Sequence, residues 1–395
     1  MGEPKLRFKA DDGSDFPDWD EMTLGDVGSV AMCKRVFKEQ TCEVGDVPFF
    51  KIGTFGDAPD SYISQSLFDE LKSKYAYPKV GTILLSASGT IGRQVEYKGE
   101  DAYYQDSNIV WLEHDDTVLD SYLKQFYTVV KWQGLEGSTI KRLYNKTILD
   151  TPFYRPSLPE QRKIADFLSA VDAVIAAQQA EVDAWEQRKK GVMQKLFSQE
   201  VRFKADDGSN FPDWEEQKIE DVCVLNPRTE QLDDEFYYMD LGSIDHGRWE
   251  APEIVNKVDA PSRAQRVAAI DDVFFQSVRP YNMGHYHYVA AKDKQVVAST
   301  GYIQARMRNG SNAFLYQLFY EERFNAEVNA RCTGSNYPAI NSRKFGEITV
   351  ALPSLPEQRK IADCLSALDD VIIKAKNELA KWQELKKGLL QQMFV

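Results

Sequence analysis

Cysteine is scarce in this chain: five in 395 residues, Cys33, Cys42, Cys223, Cys332 and Cys364, an odd number with no CxxC pair. Neither a disulfide framework nor a structural zinc cluster is indicated, and a reducing, cytoplasmic setting fits. Histidine is scarcer still, with His114, His246, His285 and His287 making the whole complement. No run approaches the ~18 uninterrupted apolar residues of a membrane-spanning helix. The opening MGEPKLRFKADDG has no apolar signal-peptide core, so no membrane attachment is expected. Also missing are the GxxxxGK[ST] phosphate loop, the GxGxxG fingerprint, the HExxH helix and the [DNS]PP[YFW] tetrapeptide that holds a flipped base, to which Asn226-Pro227-Arg228 is the nearest approach. Nucleotide-driven motor activity and unaided base methylation are thereby disfavoured. Positive charge is short as well: 48 basic against 61 acidic residues give −13, which opposes partners recruited by a long-range positive field. Global disorder is excluded by a 43% hydrophobic and 12% aromatic content, enough for a sizeable core and more than one domain.

What the chain does have is itself, twice. LRFKADDGSDFPDW at 6–19 returns as VRFKADDGSNFPDW at 201–214, with 12 of 14 positions identical. A second pair, 157–197 and 354–394, opens SLPEQRKIAD in both copies and keeps 23 of 41 positions. The expected organisation is a tandem repeat of a module of about 195 residues, with bodies at 1–156 and 198–353 and long segments at 157–197 and 354–395. The bodies resemble each other far less than these frames. Three echoes survive: Thr82–Thr90 in Asp272–Pro280, Asn108–Leu112 in Gly301–Met307, and Glu136–Asn145 in Thr333–Ser342. A kept scaffold with replaced filling suggests two different recognition surfaces on a common frame.

The long segments have helical periodicity. Alternating steps of four and three give Ile164, Leu168, Val171, Ile175, Gln178, Val182, Trp185, Lys189, Val192 and Leu196, then Ile361, Leu365, Leu368, Ile372, Ala375, Leu379, Trp382, Lys386, Leu389 and Met393. This is a heptad seam of the coiled-coil kind, with a lysine exception at the same place in each copy. Ser157-Leu-Pro-Glu160 and Ser354-Leu-Pro-Glu357 read as helix starts, with serine as cap and glutamate closing a capping box. At 1.5 Å per residue each helix reaches roughly 55–60 Å. Two equal helices are expected to pack antiparallel, placing the bodies at opposite ends as a measured spacer. A plain dimerisation coil is the blander reading.

Each body reads as mixed α/β with a strand bias, carrying an aromatic helix at Tyr122–Trp132 or Phe314–Arg323; without the repeated entry segment, over roughly 20–156 and 215–353, each holds 15 basic and 20 acidic residues. A surface for a polyanion would need its cations gathered on one face. Candidates are Lys34, Arg35, Lys38, Arg93, Lys141 and Arg142 in the first body. In the second they are Arg263, Arg266, Arg279, Lys292, Lys294, Arg306, Arg308 and Arg331. For any one of them a solvated surface charge is the simpler account. Pro59-Asp60 with Glu70-Leu71-Lys72 matches the loose PD…ExK pattern of metal-dependent nucleases. The flanking SQSLFDELKSK reads as a short helix and the second copy has no counterpart, so the match carries little weight. His285-Tyr-His287 lacks a third ligand and reads as a polar loop.

The RF…FPDW opening, the LPEQRKIA-x-x-LS-x-x-D-x-x-I helix start and the two-copy layout together resemble the specificity subunit of type I restriction-modification systems, over the whole chain. The resemblance implies an α+β architecture in which two α/β target-recognition domains are separated by two long antiparallel coiled-coil helices. It implies a non-catalytic chain, each domain reading one half of a bipartite, asymmetric double-stranded DNA site. The helices would set the spacer and dock two methyltransferase subunits, the seam being Ile164, Leu168, Val171, Ile175 and Trp185 with Ile361, Leu365, Leu368, Ile372 and Trp382. No cofactor is expected in this chain; S-adenosylmethionine belongs to the methyltransferase partner, and ATP and Mg to a restriction subunit. DNA contacts are expected from Lys34, Arg35, Ser88, Gly89, Thr90, Arg93, Gly137, Ser138, Lys141 and Arg142, and from Arg279, Tyr281, Asn282, Gly334, Ser335 and Asn336. The glycines equally suit plain turns. Because phosphate neutralisation supplies much of DNA affinity, the acidity leads to the hypothesis that the isolated chain binds DNA weakly and its partners provide most of the phosphate clamp. The competing readings are a two-headed protein–protein adaptor, a stand-alone Mg-dependent nuclease on Asp60, Glu70 and Lys72, and an acidic DNA mimic, which the interspersed charges disfavour.

Overall fold

The computed structural model describes residues 4–132, 142–228, 231–245 and 247–394. They form two compact units, one of residues 1–179 with 378–395, the other of residues 180–377. Each unit therefore contains one body, the start of its own long helix and the end of the other copy's. The long helices run Leu158–Phe197 and Leu355–Met393, 40 and 39 residues.

In the first unit a four-stranded antiparallel sheet has the order Gly28–Ala31, Ile109–His114, Ile83–Ser86, Gln94–Glu96. A second sheet pairs Val47–Phe50 antiparallel with Tyr62–Ile63 and parallel with Tyr103–Tyr104. The second unit repeats the plan. Its first sheet runs Cys223–Leu225, Tyr302–Met307, Val273–Gln276, Tyr286–His287, and its second has a parallel pair, Glu235–Met239 with Val296–Ser299. Apolar runs such as Ile83–Leu85 and Val273–Phe275 are buried throughout, as strands covered on both faces must be. A two-stranded ribbon ties the two ends of each body together, Asp20–Thr23 on Pro152–Arg155 and Glu215–Lys218 on Thr349–Leu352.

The aromatic helix is Asp120–Val129 in the first unit. In the second it differs from the sequence expectation: Asn312–Leu318 stops, and a new helix Glu322–Arg331 begins. Glu321 is extended and its carboxylate accepts the Phe324 N–H, so a fresh N-cap starts the second helix.

The long helices run antiparallel within each unit. In the first, Leu390 and Met393 share a core with Ile164, Leu168, Phe126 and Phe153, and Lys386 Nζ lies 2.5 Å from Asp172 Oδ1. In the second, Met193 and Leu196 meet Ile361, Leu365, Phe314 and Phe345, and Lys189 Nζ lies 2.6 Å from Asp369 Oδ1. The lysine exceptions to the seam are thus explained: each pairs with the aspartate of the opposing LS-x-x-D. That aspartate also accepts from a body glutamine, Gln125 Nε2 at 3.1 Å on Asp172 and Gln317 Nε2 at 2.8 Å on Asp369.

The helix starts are corrected. The buried Ser157 and Ser354 hydroxyls make no hydrogen bond among the described residues, and the glutamates do not cap. Glu160, wholly buried, accepts from Arg7 Nε at 3.0 Å, Arg7 Nη2 at 2.9 Å and Trp19 Nε1 at 3.0 Å. Glu357, equally buried, takes Arg202 at 3.0 and 2.8 Å and Trp214 Nε1 at 3.2 Å. The local i, i+3 pattern lost to partners more than 140 residues away, because a buried carboxylate needs full compensation and a forked guanidinium provides it. The next residue closes a second link: Gln161 and Gln358 donate to Pro156 and Pro353 carbonyls, both at 2.9 Å.

Two outcomes follow from this clasp. Glu160→Ala should lower the unfolding free energy by about 3 kcal/mol, read by urea denaturation, and expose residues 4–19 to limited proteolysis. A double-mutant cycle on Lys386 and Asp172 should return a coupling of about 1 kcal/mol, since the pair is only partly buried; additive single effects would show that the pair contributes nothing.

Candidate nucleic-acid interface

Each first sheet ends in a loop that is pinned at two points by neighbouring loops. In the first unit Ala87 N–H donates to Asn108 O at 2.7 Å and Ala87 O accepts from Leu143 N–H at 2.8 Å. In the second Ser277 N–H donates to Gly301 O at 2.9 Å and Ser277 O accepts from Ile340 N–H at 3.0 Å. Ala87, Asn108 and Leu143 occupy the same places in the three echoes as Ser277, Gly301 and Ile340. The faint similarities between the bodies are therefore the segments that meet in three dimensions. What they share is a backbone junction, and what they present differs.

In the first unit the junction gathers several expected residues. Ser88 Oγ donates to Asn108 Oδ1 at 2.9 Å, and Thr90 O accepts from the buried Ser86 hydroxyl. Gly89 and Gly92 have φ of +65° and +79°, which suits glycine and lets the loop turn tightly. The cations are largely committed. Arg93 Nη1 donates to Phe55 O at 2.6 Å and lies 3.5 Å from Asp57. Arg35 Nε reaches Asp106 at 2.9 Å, and Arg142 Nη2 donates to Ser107 O at 2.7 Å. Lys34 Nζ instead sits 5.0 Å above the Tyr75 ring. Gly137, Ser138 and Lys141 lie outside the described residues. Neither Asn108 nor Asp106 is among the expected contacts; Asn108 opens the second echo, and nothing in the sequence signals Asp106.

In the second unit Arg279 N–H donates to Pro338 O at 2.7 Å and the Val278↔Ala339 bridge joins the two loops. This joins the loop carrying Arg279, Tyr281 and Asn282 to the loop carrying Gly334, Ser335 and Asn336. Tyr337, not foreseen, is 64% exposed and lies under the Arg279 guanidinium at 4.3 Å. Other candidate cations serve the fold: Arg306 pairs with Asp272 at 2.7 Å, Lys294 with Glu235 at 2.8 Å, and Arg266 donates to Tyr302 O at 2.9 Å.

The nuclease and metal patterns do not assemble. Asp60 pairs with Lys51, Glu70 with Lys74 and Lys72 with Asp101, each on a separate partner. No group of three metal-capable side chains occurs among the described residues. His285 is fully buried and stacked on Phe275 at 4.3 Å, its Nδ1 accepting the Gln276 N–H, while His287 bonds Asp271 at 2.7 Å. The seam residues Ile164, Leu168, Ile361 and Leu365 are buried within the units, as are Val171 and Ile372, with Leu368 packed against the core; Ile175, Trp185 and Trp382 are half-buried.

A family model described as the type I restriction modification DNA specificity domain matches residues 17–184 and again 212–382. The chain belongs to that family. Members confer DNA sequence specificity on restriction-modification enzymes and are recognition subunits rather than catalysts. A protein of Haemophilus influenzae named as a type I restriction enzyme specificity subunit is 55% identical over 152 residues, 38% of this chain and 40% of that one. The MjaVIII specificity subunit of Methanocaldococcus jannaschii is 23% identical over 98% of this chain and 95% of its own length. The crystal structure of the type I S subunit from M. genitalium shares the fold, with TM-score 0.60 and 18% identity over 100% of this chain and 99% of the other. No helix among the described residues is long and apolar enough to cross a membrane.

Burial pushes the His285 imidazole down to about 3. Between pH ~6.5 and that value the unfolded chain binds a proton that the folded chain refuses, so stability falls on acidification. The folded protein should lose about 1.4 kcal/mol per pH unit from this residue below pH ~6. His285→Asn should flatten the pH dependence of urea denaturation by that amount, and an unchanged slope would show that the imidazole protonates in place.

Proposed function

We propose that this chain is the target-reading subunit of a type I restriction-modification enzyme whose two bodies, residues 1–156 and 198–353, each read one half of a bipartite, asymmetric DNA sequence. The observation that carries this reading is the pair of loop clusters: one backbone junction, used twice, offering Ser88, Thr90 and Asn108 in one unit and Arg279, Tyr281 and Tyr337 in the other. Two dissimilar faces on one repeated frame suit two dissimilar half-sites, with the bases between them unread. The remaining expected contacts are Lys34, Arg35, Arg93, Arg142, Asn282, Ser335 and Asn336 among the described residues, with Ser138 and Lys141 outside them.

In this proposal the long helices, 157–197 and 354–395, set the spacer as a coiled-coil pair and receive two methyltransferase subunits. Because much of the seam is buried in the chain's own cores, the docking surface falls to exposed apolar side chains on the same helices: Leu158, Phe167 and Leu385 in the first unit and Val371 in the second. The partners bring S-adenosylmethionine, and a restriction subunit brings ATP and Mg; this chain supplies position.

Mapping methylated adenines genome-wide in the source cell, with and without this gene, should reveal one split motif that disappears on deletion. An unchanged methylation map would overturn the reading. With −13 net charge, the purified chain alone should bind DNA weakly and lose that binding between low and moderate salt, whereas tight, salt-insensitive binding would remove the need for partner clamps.

A further inference from the structure

The loop 277–284 of the second unit is shaped from beneath by one side chain. Gln276, 2% exposed, donates from Nε2 to Val278 O at 2.9 Å and Arg279 O at 3.4 Å, and its Oε1 accepts the Gly284 N–H at 2.9 Å. Its own N–H is held by His285 Nδ1 at 3.1 Å. A Cβ on Gly284 would collide with the Gln276 amide oxygen, so the turn closes only around this pair. Two non-glycine residues of the turn, Arg279 and Met283, are held in the left-handed region, each with φ +52°. Such conformations persist where the surroundings over-determine them, and they concentrate at sites that must hold a group in one pose. The first unit uses the equivalent position in the same way, with Ser86 bonding Thr90 O and Arg93 N–H of a shorter loop.

The group so presented is the Arg279 guanidinium. It makes no ion pair or side-chain hydrogen bond among the described residues, in contrast to Arg93, Arg35 and Arg306. Its central carbon lies over the Tyr337 ring, 4.3 Å from the ring centroid, a cation–π contact that holds the group in place without using its N–H donors. A held guanidinium with its forked donors unused matches the paired O6 and N7 acceptors of guanine in the major groove, where no other base offers two acceptors side by side.

Resting on the DNA-reading function proposed above, we propose that Arg279 reads a guanine in the half of the target assigned to the second unit, with Tyr337 and Gln276 as positioning residues for it. The test is adenine-methylation mapping in the source cell carrying variants of the whole chain. Arg279→Ala should relax one position of one half-site, its guanine preference falling roughly tenfold to a hundredfold, while every other position stays sharp. Tyr337→Ala and Gln276→Ala should relax that same position, and Tyr337→Phe, which keeps the ring, should restore it. A motif left sharp by Arg279→Ala, or methylation lowered evenly at all sites with no position relaxed, overturns the assignment to Arg279. Failure of the wild-type chain to yield any gene-dependent motif overturns the DNA-reading function itself, so the two failures are separable.

Discussion

Everything in either unit hangs from a carboxylate that water never reaches. Glu160 and Glu357 sit in the first turn of the long helices, and each takes a forked guanidinium and an indole N–H from the FPDW-containing segment. Taking a charge out of water costs several kcal/mol unless it is matched. Matching it holds two distant stretches, the opening segment and the helix start, in one arrangement. This accounts for the near-identity of the repeated segments: the clasp tolerates little variation, whereas the loops at the far side of the sheets have no part in it.

How much of this was legible depended on the range of each interaction. The long helices were readable because their signal recurs every few residues, and Leu158–Phe197 and Leu355–Met393 span the expected segments. The role of Glu160 was misread for the same reason turned around, since a capping box is a local pattern and Arg7 lies 153 residues away. Lys189 and Lys386 stood out as seam exceptions, yet their aspartate partners could be assigned only once the helices were seen to run antiparallel within each unit.

The recognition loops show the same division. Their backbone equivalence left a trace as three short echoes, because a junction that pins a loop at two carbonyls restricts what can sit there. Side-chain commitments left none. Nothing in the sequence separates Arg93, tied to Phe55 and Asp57, from Arg279, whose guanidinium lies over the Tyr337 ring. A single buried residue at the strand end, serine in one unit and glutamine in the other, bonds the backbone of the turn above it.

The lysine–aspartate pairs have a consequence for inheritance. Lys386, written at the end of the second repeat, completes the first unit, and Lys189, written at the end of the first repeat, completes the second. Damage to either codon is therefore felt in the half of the protein encoded by the other. A change in either frame's lysine is thus matched against an aspartate encoded by the other frame, while the loops carry no such cross-link among the described residues.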